Sequence, residues 1–169
     1  MSERFRDTGV SWYDLLADEI LVRCPRCDGR ALIPPLRDGA GSGVFAPRRL
    51  LCPACGHGRD WEGDRVGRYD EPEDPYFRLP LWLQSPCCGR TLWAYGRRHL
   101  DLLEGYVAAR HRERGLSPDG SGSPVRRDRG ASRTLVEALP AWVKSAKHRD
   151  EILRAVARVR ATLGDDRTT

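Results

Sequence analysis

The amino-acid sequence predicts a small α+β fold, on three observations. Two Cys-x-x-Cys pairs predict a metal-bound β-ribbon, and the stretch RLPLWLQSPCCGRTLWAYG predicts a β-hairpin. Two later stretches carry apolar residues at helical spacing and predict helices. We therefore expect a zinc ribbon plus a β-hairpin packed with C-terminal helices.

Composition limits the size of the core. The chain has 169 residues, the length of one domain with appendages. Only 40% of the residues are hydrophobic and the mean hydropathy is -0.58. So small an apolar content predicts that the fold needs a staple such as a metal or disulfides.

The first element is a short helix. Ser11 followed by Asp14 resembles a capping box, so the stretch SWYDLLADEI is predicted to be helical. Residues 1–21 then form an N-terminal helix and lead-in to the ribbon.

The zinc ribbon is predicted over residues 22–66. In each Cys-x-x-Cys knuckle, the two intervening residues let both thiolates turn toward one ion. Gly56 after the second knuckle permits a left-handed turn, and Asp28 tolerates the same geometry after the first. ALI and RRLL are predicted as paired strands between the knuckles, and RDWEG as a third strand.

Four thiolates close the predicted metal site. The two pairs are separated by 24 residues, and neither lies in the strand-to-helix context of a thioredoxin-type redox centre. A site with four cysteine ligands has no open coordination position, so a structural rather than a catalytic Zn²⁺ is expected. The predicted ligands are Cys24, Cys27, Cys52 and Cys55.

The hairpin and the next helix are predicted over residues 67–114. A four-residue loop at Pro86–Gly89 places Ser85 opposite Arg90, and this register extends along both strands. One face then carries Trp82, Gln84, Thr91 and Trp93, and the other carries Leu81, Leu83, Leu92 and Ala94. RRHLDLLEGYVAARHRER follows as the helix, with an apolar stripe and an arginine-rich C-terminal end.

The rest of the chain is predicted to be a linker and a helical segment. Residues 115–132 include 4 Gly, 4 Ser and 2 Pro, which predicts a flexible linker. Residues 133–169 form a basic helical C-terminal segment. Its main helix, from about His148 to Leu163, is expected to dock on the hairpin and the preceding helix through an apolar face of Ile152, Leu153, Val156 and Val159.

Cys87 and Cys88 are a second candidate site. In a tight loop both sulfurs could reach one further Zn²⁺, with His99 and His57 as additional ligands. The alternative is that one cysteine is buried under the hairpin and the other is a half-exposed loop thiol. An enzyme using either thiol with His99 is disfavoured, because the sequence shows neither an orienting third group nor a substrate-binding motif.

Aromatic residues outside the ribbon offer two interpretations. Trp82, Trp93 and Tyr95 could stack on unpaired bases, but the small apolar content favours a place in the core. A further candidate lies before the last helix, where Trp142 is close in sequence to Lys144, Lys147 and Arg149 and could form a small aromatic-basic cluster with them. The alternative is that these residues are simply the solvent-exposed entry to the helix.

Charge is unevenly distributed along the chain. The net charge is +5, with −2 in residues 1–89 and +7 in residues 90–169. Contacts with nucleic acid or an acidic protein surface are therefore expected in the C-terminal half, although an arginine-rich composition can also reflect a high-GC genome. The candidate phosphate contacts are Arg110, Arg112, Arg114, Arg126, Arg127 and Arg129.

No stretch has the roughly 20 apolar residues of a membrane span, and MSERFRDTGV lacks the apolar core of a signal peptide. We expect a cytoplasmic protein without a membrane partner. In a reducing compartment, paired cysteines are better interpreted as metal ligands than as a disulfide framework.

Two segments resemble a known family. LWLQSPCCGRTLWAYGRRHLDLLEGYV and LPAWVKSAKHRDEILRAV are similar to segments of small bacterial proteins described as transcription factor IIB-type zinc-ribbon-containing. The similarity covers the ribbon cysteines, the CCG hairpin and the C-terminal segment. No activity is established for that family, so the resemblance implies the zinc and the architecture only.

The sequence therefore predicts a non-enzymatic zinc-ribbon protein with a nucleic-acid-associated or adaptor role, binding through its basic C-terminal half. The alternative is a purely protein-binding module whose last amphipathic helix docks in a partner groove. A steep loss of affinity with salt is expected only for phosphate contacts.

Overall fold

A computed structural model describes residues 4–36, 43–109, 111–113 and 134–164. The strands in these ranges are β1 (Arg4–Arg6), β2 (Ile20–Arg23), β3 (Arg30–Ile33), β4 (Arg48–Leu51), β5 (Gly58–Trp61), β6 (Leu83–Cys87), β7 (Arg90–Ala94) and β8 (His111–Glu113). The helices are α1 (Trp12–Ala17), α2 (Arg97–Ala108), α3 (Leu135–Ala138), α4 (Ala141–Lys144) and α5 (Arg149–Ala161), with a 3-10 turn at Ala146–His148. The predicted α+β class is confirmed.

The predicted capping box begins α1. The Ser11 hydroxyl accepts a hydrogen bond from the N–H of Asp14, and the Asp14 carboxylate accepts from the N–H of Ser11 at 2.8 Å. These bonds hold the pKa of Asp14 below its usual range. The helix ends at Ala17, earlier than expected, because Ile20 already belongs to a strand that the sequence pattern did not reveal.

A four-stranded antiparallel sheet, in the order β2-β3-β4-β5, forms the ribbon. Its last three strands contain the predicted ALI, RRLL and RDW stretches. Ile20 pairs with Ile33, and Val22 pairs with Ala31. These four side chains and Leu50 are fully buried, and they form the core of the ribbon together with α1.

The hairpin of β6 and β7 has a tighter turn than predicted. Cys87, not Ser85, pairs with Arg90, so the loop has only the two residues Cys88 and Gly89. Their φ angles of 53° and 68° allow a two-residue turn that matches the twist of the strands. The predicted register is wrong by two residues, but within β6 and β7 a shift of two keeps each side chain on its predicted face. The predicted faces are wrong before β6, since Leu81 lies in the ribbon core and Trp82 packs against the cluster that contains Leu83.

The apolar face of the hairpin carries α2 and α5. Leu83, Leu92 and Ala94 are buried, as predicted for that face. Ile152, Val156 and Val159 of α5 are buried in the same cluster, and Leu153 is partly buried against it. The predicted docking of the last helix on the hairpin and α2 is confirmed.

Helix α2 is shorter than predicted. It ends at Ala108, and residues 111–113 form β8, which pairs in parallel with β1. The predicted arginine-rich helix end is therefore wrong. Arg149 of α5 supplies the positive charge instead, since its guanidinium donates to the carbonyls of Val107, Ala108 and Ala109.

Strand β2 joins the ribbon to the hairpin. Ile20 and Val22 lie in the ribbon core, whereas Leu21 lies in the cluster of α2, α5 and the hairpin. The N–H of Leu21 donates to the backbone carbonyl of Tyr95 at 2.7 Å, and the Leu21 carbonyl accepts the backbone N–H of Trp82 at 2.9 Å. The two halves of the fold thus share one strand.

Across the ranges that the structure describes, no helix combines the length and the apolar character needed to cross a bilayer. The predicted linker, residues 115–132, lies outside the described residues, and the predicted domain boundaries remain a prediction.

Candidate metal centre and aromatic cleft

The first knuckle begins where β2 ends. Cys24 donates its N–H to Gly29, and its carbonyl accepts from Asp28, both at 2.9 Å. Asp28 has a φ of 58°, so it holds the left-handed position that the sequence assigned to it. The N–H of Arg26 donates to the Cys24 sulfur at 3.4 Å.

The second knuckle repeats this hydrogen-bond pattern after β4. Cys52 donates its N–H to His57 at 2.8 Å, and its carbonyl accepts from Gly56 at 2.9 Å. Gly56 has a φ of 70°, the left-handed geometry that glycine adopts without a steric cost. The shared pattern places the two thiols of each knuckle on the same side of its turn.

The four cysteines converge. The Sγ atoms of Cys24 and Cys55 are 3.7 Å apart, and those of Cys27 and Cys52 are 3.6 Å apart. All four Sγ atoms lie within 4.8 Å of one another. A tetrahedral ion with sulfur ligands at about 2.3 Å needs an S–S separation of about 3.8 Å, so this donor set could hold such a metal.

Electrostatics favour a cation between the thiols. Burial opposes ionisation of Cys24, but hydrogen bonds from the N–H groups of Arg26 and Cys27 lower its pKa to about 7. The N–H of Gly29 favours the Cys27 thiolate, yet the neighbouring thiols, above all Cys55, raise the pKa of Cys27 to about 12. Four thiolates this close repel one another, so their full ionisation requires a bound cation.

The second pair of cysteines lies at the hairpin turn. Their Sγ atoms are 3.5 Å apart. Cys87 is 3% exposed and Cys88 is half-buried, which agrees with the alternative of one buried and one partly exposed thiol. The structure adds Glu151 of α5, whose ligand atom lies within 4.8 Å of both sulfurs.

Neither predicted histidine joins Cys87 and Cys88 in that group. His57 lies in the second knuckle of the ribbon, where its carbonyl accepts the N–H of Cys52. His99 lies among the rings of Trp12, Trp93 and Tyr95, with ring centroids at 5.5 to 5.7 Å. The prediction that these two histidines would join Cys87 and Cys88 as metal ligands is therefore wrong for this cluster.

His99 is held neutral by its surroundings. The side chain is 2% exposed, and its Nδ1 accepts the N–H of Tyr95 at 3.2 Å. Burial lowers the pKa of His99 to about 3. Burial also keeps the Cys87 thiol neutral, because it raises the pKa of Cys87 to about 12. A thiol with a raised pKa is a poor nucleophile at neutral pH, which argues against the Cys–His enzyme hypothesis.

A cleft of about 340 Å³ opens between the hairpin, α1 and the segment of α3 and α4. Three tryptophans line it, one from each of these parts: Trp12, Trp93 and Trp142. Trp12 and Trp93 stack with ring centroids 5.8 Å apart and planes inclined by 25°. His99, Arg90 and Asp70 also line the cleft. Sequence patterns identified two of the tryptophans but could not place them around one cavity.

The other aromatic candidates lie elsewhere. Tyr95 is fully buried, which confirms its interpretation as a core residue. Trp82 is half-buried beside α5, where its indole N–H donates to Thr162 and the Arg23 guanidinium lies 5.3 Å from its ring centroid. It does not line the cleft.

Five of the six predicted phosphate contacts lie outside the part of the chain that the structure describes. Arg110, Arg114, Arg126, Arg127 and Arg129 lie outside the described residues, and Arg112 is described only as part of β8. Several arginines of α5 are engaged within the fold. Arg158 donates to Ser85 and Pro86, and Arg160 pairs with Asp101 and Glu104 at 2.7 and 2.6 Å.

No protein-family model, curated protein or solved structure matches this chain. The class that the fold and the site define is therefore a small α+β protein with a four-cysteine cluster that could bind a metal.

Proposed function

We propose that the protein is a non-enzymatic, zinc-stabilised binding protein for single-stranded nucleic acid. The observation that carries this proposal is the cleft lined by Trp12, Trp93 and Trp142. Its volume lies within the range of about 300 to 1,000 Å³ that is common for ligand sites. Aromatic side chains at such a site bind unpaired bases by stacking, without sequence recognition.

Zinc is the metal that best suits the four-cysteine cluster. Its sulfur spacing of 3.6 and 3.7 Å is close to the edge of a tetrahedron with zinc–sulfur bonds. Four thiolate ligands leave no position for a substrate or a reactive water. Zinc in this site stabilises the ribbon and takes no part in chemistry.

The position of the basic residues supports a polyanionic ligand. Residues 110–133 carry 7 Arg against 3 Asp+Glu, which gives a net charge of +4. This stretch leads in sequence directly into α3 and α4, whose Ala138 and Trp142 form one wall of the cleft. Arginines there would contact phosphates while the bases occupy the cleft.

The protein-binding alternative loses its main support. It assigned the apolar face of α5 to a partner groove, but Ile152 and Val156 are fully buried against the chain itself. An adaptor role would therefore need another surface.

Fluorescence anisotropy with a labelled single-stranded oligonucleotide of about 12 nucleotides tests the proposal. Trp142→Leu should weaken binding by about 5- to 150-fold, since stacking contributes about 1 to 3 kcal/mol per base. Trp82→Leu is the matched control, because Trp82 is also half-buried but lies outside the cleft. Equal affinity of the Trp142 variant and the wild type would refute the role of the cleft.

Salt dependence tests the arginines separately. Replacing Arg126, Arg127 and Arg129 with alanine should reduce the slope of log K against log salt by about 2, because three phosphate contacts on a single strand contribute about 0.7 each. Tight binding to a protein partner with little salt dependence, and none to oligonucleotides, would favour the adaptor role instead.

A further inference from the structure

We propose that Cys87, Cys88 and Glu151 form a second metal site, for a thiophilic divalent cation of the zinc type. The ligand atoms of the three residues lie within 4.8 Å of one another. The site is distinct from the ribbon cluster, since it is built from the hairpin turn and the first turn of α5. It does not depend on the proposed binding of nucleic acid.

The turn brings adjacent thiols together. Neighbouring side chains in a strand point to opposite faces, which would separate two consecutive cysteines. Cys88 has a φ of 53°, and this left-handed geometry breaks the alternation. The two Sγ atoms are consequently 3.5 Å apart, close to the 3.6 and 3.7 Å seen in the ribbon. The spacing suits two thiolates on one tetrahedral ion.

The residue type at this turn is itself informative. Positive φ is uncommon for residues other than glycine, and Asn or Asp tolerates it better than Cys. The turn thus carries a backbone cost that a simple Asn-Gly turn would avoid. A sulfur ligand at position 88 accounts for that cost.

Glu151 is fixed as the third ligand. It lies in the first turn of α5, and one carboxylate oxygen accepts the N–H of Cys88 at 2.7 Å. This bond orients the carboxylate beside the sulfurs while the carboxylate retains further lone pairs for a metal. The helix bearing it is held on the hairpin by Ile152 and Val156, both fully buried.

The charges around the site balance. Two thiolates and one carboxylate carry −3, which a divalent cation reduces to −1. The positive charges of Lys147 and Arg158 act on Cys88 and Cys87 respectively, and they offset the remainder. Arg154 is a further cationic group that acts on Glu151, and the imidazole of His148 also acts on it.

Three protein ligands distinguish this site from the ribbon. A tetrahedral ion bound here keeps its fourth position for water or an external ligand, whereas the ribbon site is closed. The bound metal would also connect the hairpin turn to α5, two elements that are 63 positions apart at Cys88 and Glu151. Exchangeable metal at the hairpin turn is the expected behaviour.

Native mass spectrometry of the full-length, fully reduced protein saturated with Zn²⁺ or Cd²⁺ tests the site. Two metals per chain are expected. Cys88→Asn and Glu151→Gln should each weaken binding of one metal by at least about tenfold and leave the other bound. Cys88→Asn relieves the positive φ, and Glu151 is exposed, so both variants are expected to fold, and retention of the other metal in the same spectrum checks that they do.

Asp150→Asn is the matched control, because Asp150 is an exposed carboxylate in the same helical turn but not a member of the cluster. It should retain both metals. A single metal per chain at saturation would overturn the second site, as would a second metal that survives both Cys88→Asn and Glu151→Gln.

Discussion

Two buried polar residues pair with backbone groups inside this fold. Asp74 is fully buried, and its carboxylate accepts the N–H groups of Tyr76, Phe77 and Leu79 at 2.7 to 2.9 Å. Arg48 is also buried, and it donates to the Leu16 carbonyl at the end of α1 at 2.7 Å. Each satisfies backbone groups that would otherwise be unpaired away from water.

His99 makes stability depend on pH. Burial lowers its pKa to about 3, against about 6.5 in the unfolded chain. Between these values the unfolded state binds a proton that the folded state does not, so stability falls as the pH falls below about 6.5. Between pH 7.5 and 5.5, His99 should therefore cost about 1.4 kcal/mol of unfolding free energy.

Urea denaturation of the wild type and His99→Asn at both pH values measures this term. Asn retains an acceptor for the Tyr95 N–H but does not titrate, and the remaining histidines are common to both proteins. The wild type should lose about 1.4 kcal/mol more than the variant. An identical pH dependence would contradict the buried, neutral state of His99.

At the scale of elements, the backbone before α2 lies very close to the backbone before β2. A Cβ atom at Gly96, which precedes α2, would lie 2.4 Å from the Glu19 carbonyl oxygen. Gly96→Ala should therefore cost about 1 to 3 kcal/mol through backbone displacement. Gly105→Ala is the control within the same helix, because its Cβ would meet the Phe5 ring at 3.6 Å, an ordinary contact.

The two variants should change the melting temperature in opposite directions. Gly105→Ala should stabilise the protein by up to about 1 kcal/mol, since alanine is the better helix former. A melting temperature of Gly96→Ala equal to that of the wild type would show that α2 does not approach the sheet this closely.

Docking of α5 can be tested at one position of its buried face. Val156 is fully buried, so Val156→Asp should cost about 3 to 5 kcal/mol through lost apolar burial and an unpaired charge. The next residue, Ala157, is on the exposed face of the helix, so Ala157→Asp should cost less than about 1 kcal/mol. Circular dichroism melts of both variants provide the comparison. Similar small effects would mean that α5 is not docked in solution.

Elements with a local pattern could be predicted, and those that depend on distant partners could not. The cysteine pairs located the ribbon because ligand spacing is a local property, and apolar periodicity located α2 and α5. Strands β1 and β8 were missed, since residues 4–6 and 111–113 find each other only in the folded chain. Glu151 was missed as a partner of Cys88 for the same reason.

The hairpin shows the limit of local patterns most clearly. Within β6 and β7 its faces were predicted correctly from alternation, but its register was not, because Cys88-Gly89 lacks the familiar Asn-Gly signal of a two-residue turn. The apolar face of the last helix could be predicted, whereas the cleft of three tryptophans from distant segments could not.

At the scale of the whole molecule, the shared strand β2 should make unfolding cooperative. Leu21 belongs to the hairpin–helix core, and Ile20 and Val22 belong to the ribbon core. Cys55→Ser removes a ribbon ligand, and structural zinc contributes on the order of 10 kcal/mol in small sites. The variant should therefore lower the melting temperature of the entire chain.

Differential scanning calorimetry distinguishes coupled from independent cores. A single transition that shifts downward in Cys55→Ser is expected, and metal chelation of the wild type should shift it in the same direction. Two transitions, with the one for the hairpin and helices unmoved, would show that the cores unfold separately.

The N-terminal segment contacts two places that follow it by more than a hundred residues. Strand β1 pairs with β8, and further along the same segment Ser11 bridges to Thr134 while Asp7 accepts the Thr134 hydroxyl at 2.8 Å. During translation, this segment leaves the ribosome long before either partner has been made. Its pairing is therefore expected among the last steps of folding, and a nascent chain released before His111 would keep its first strand without a partner.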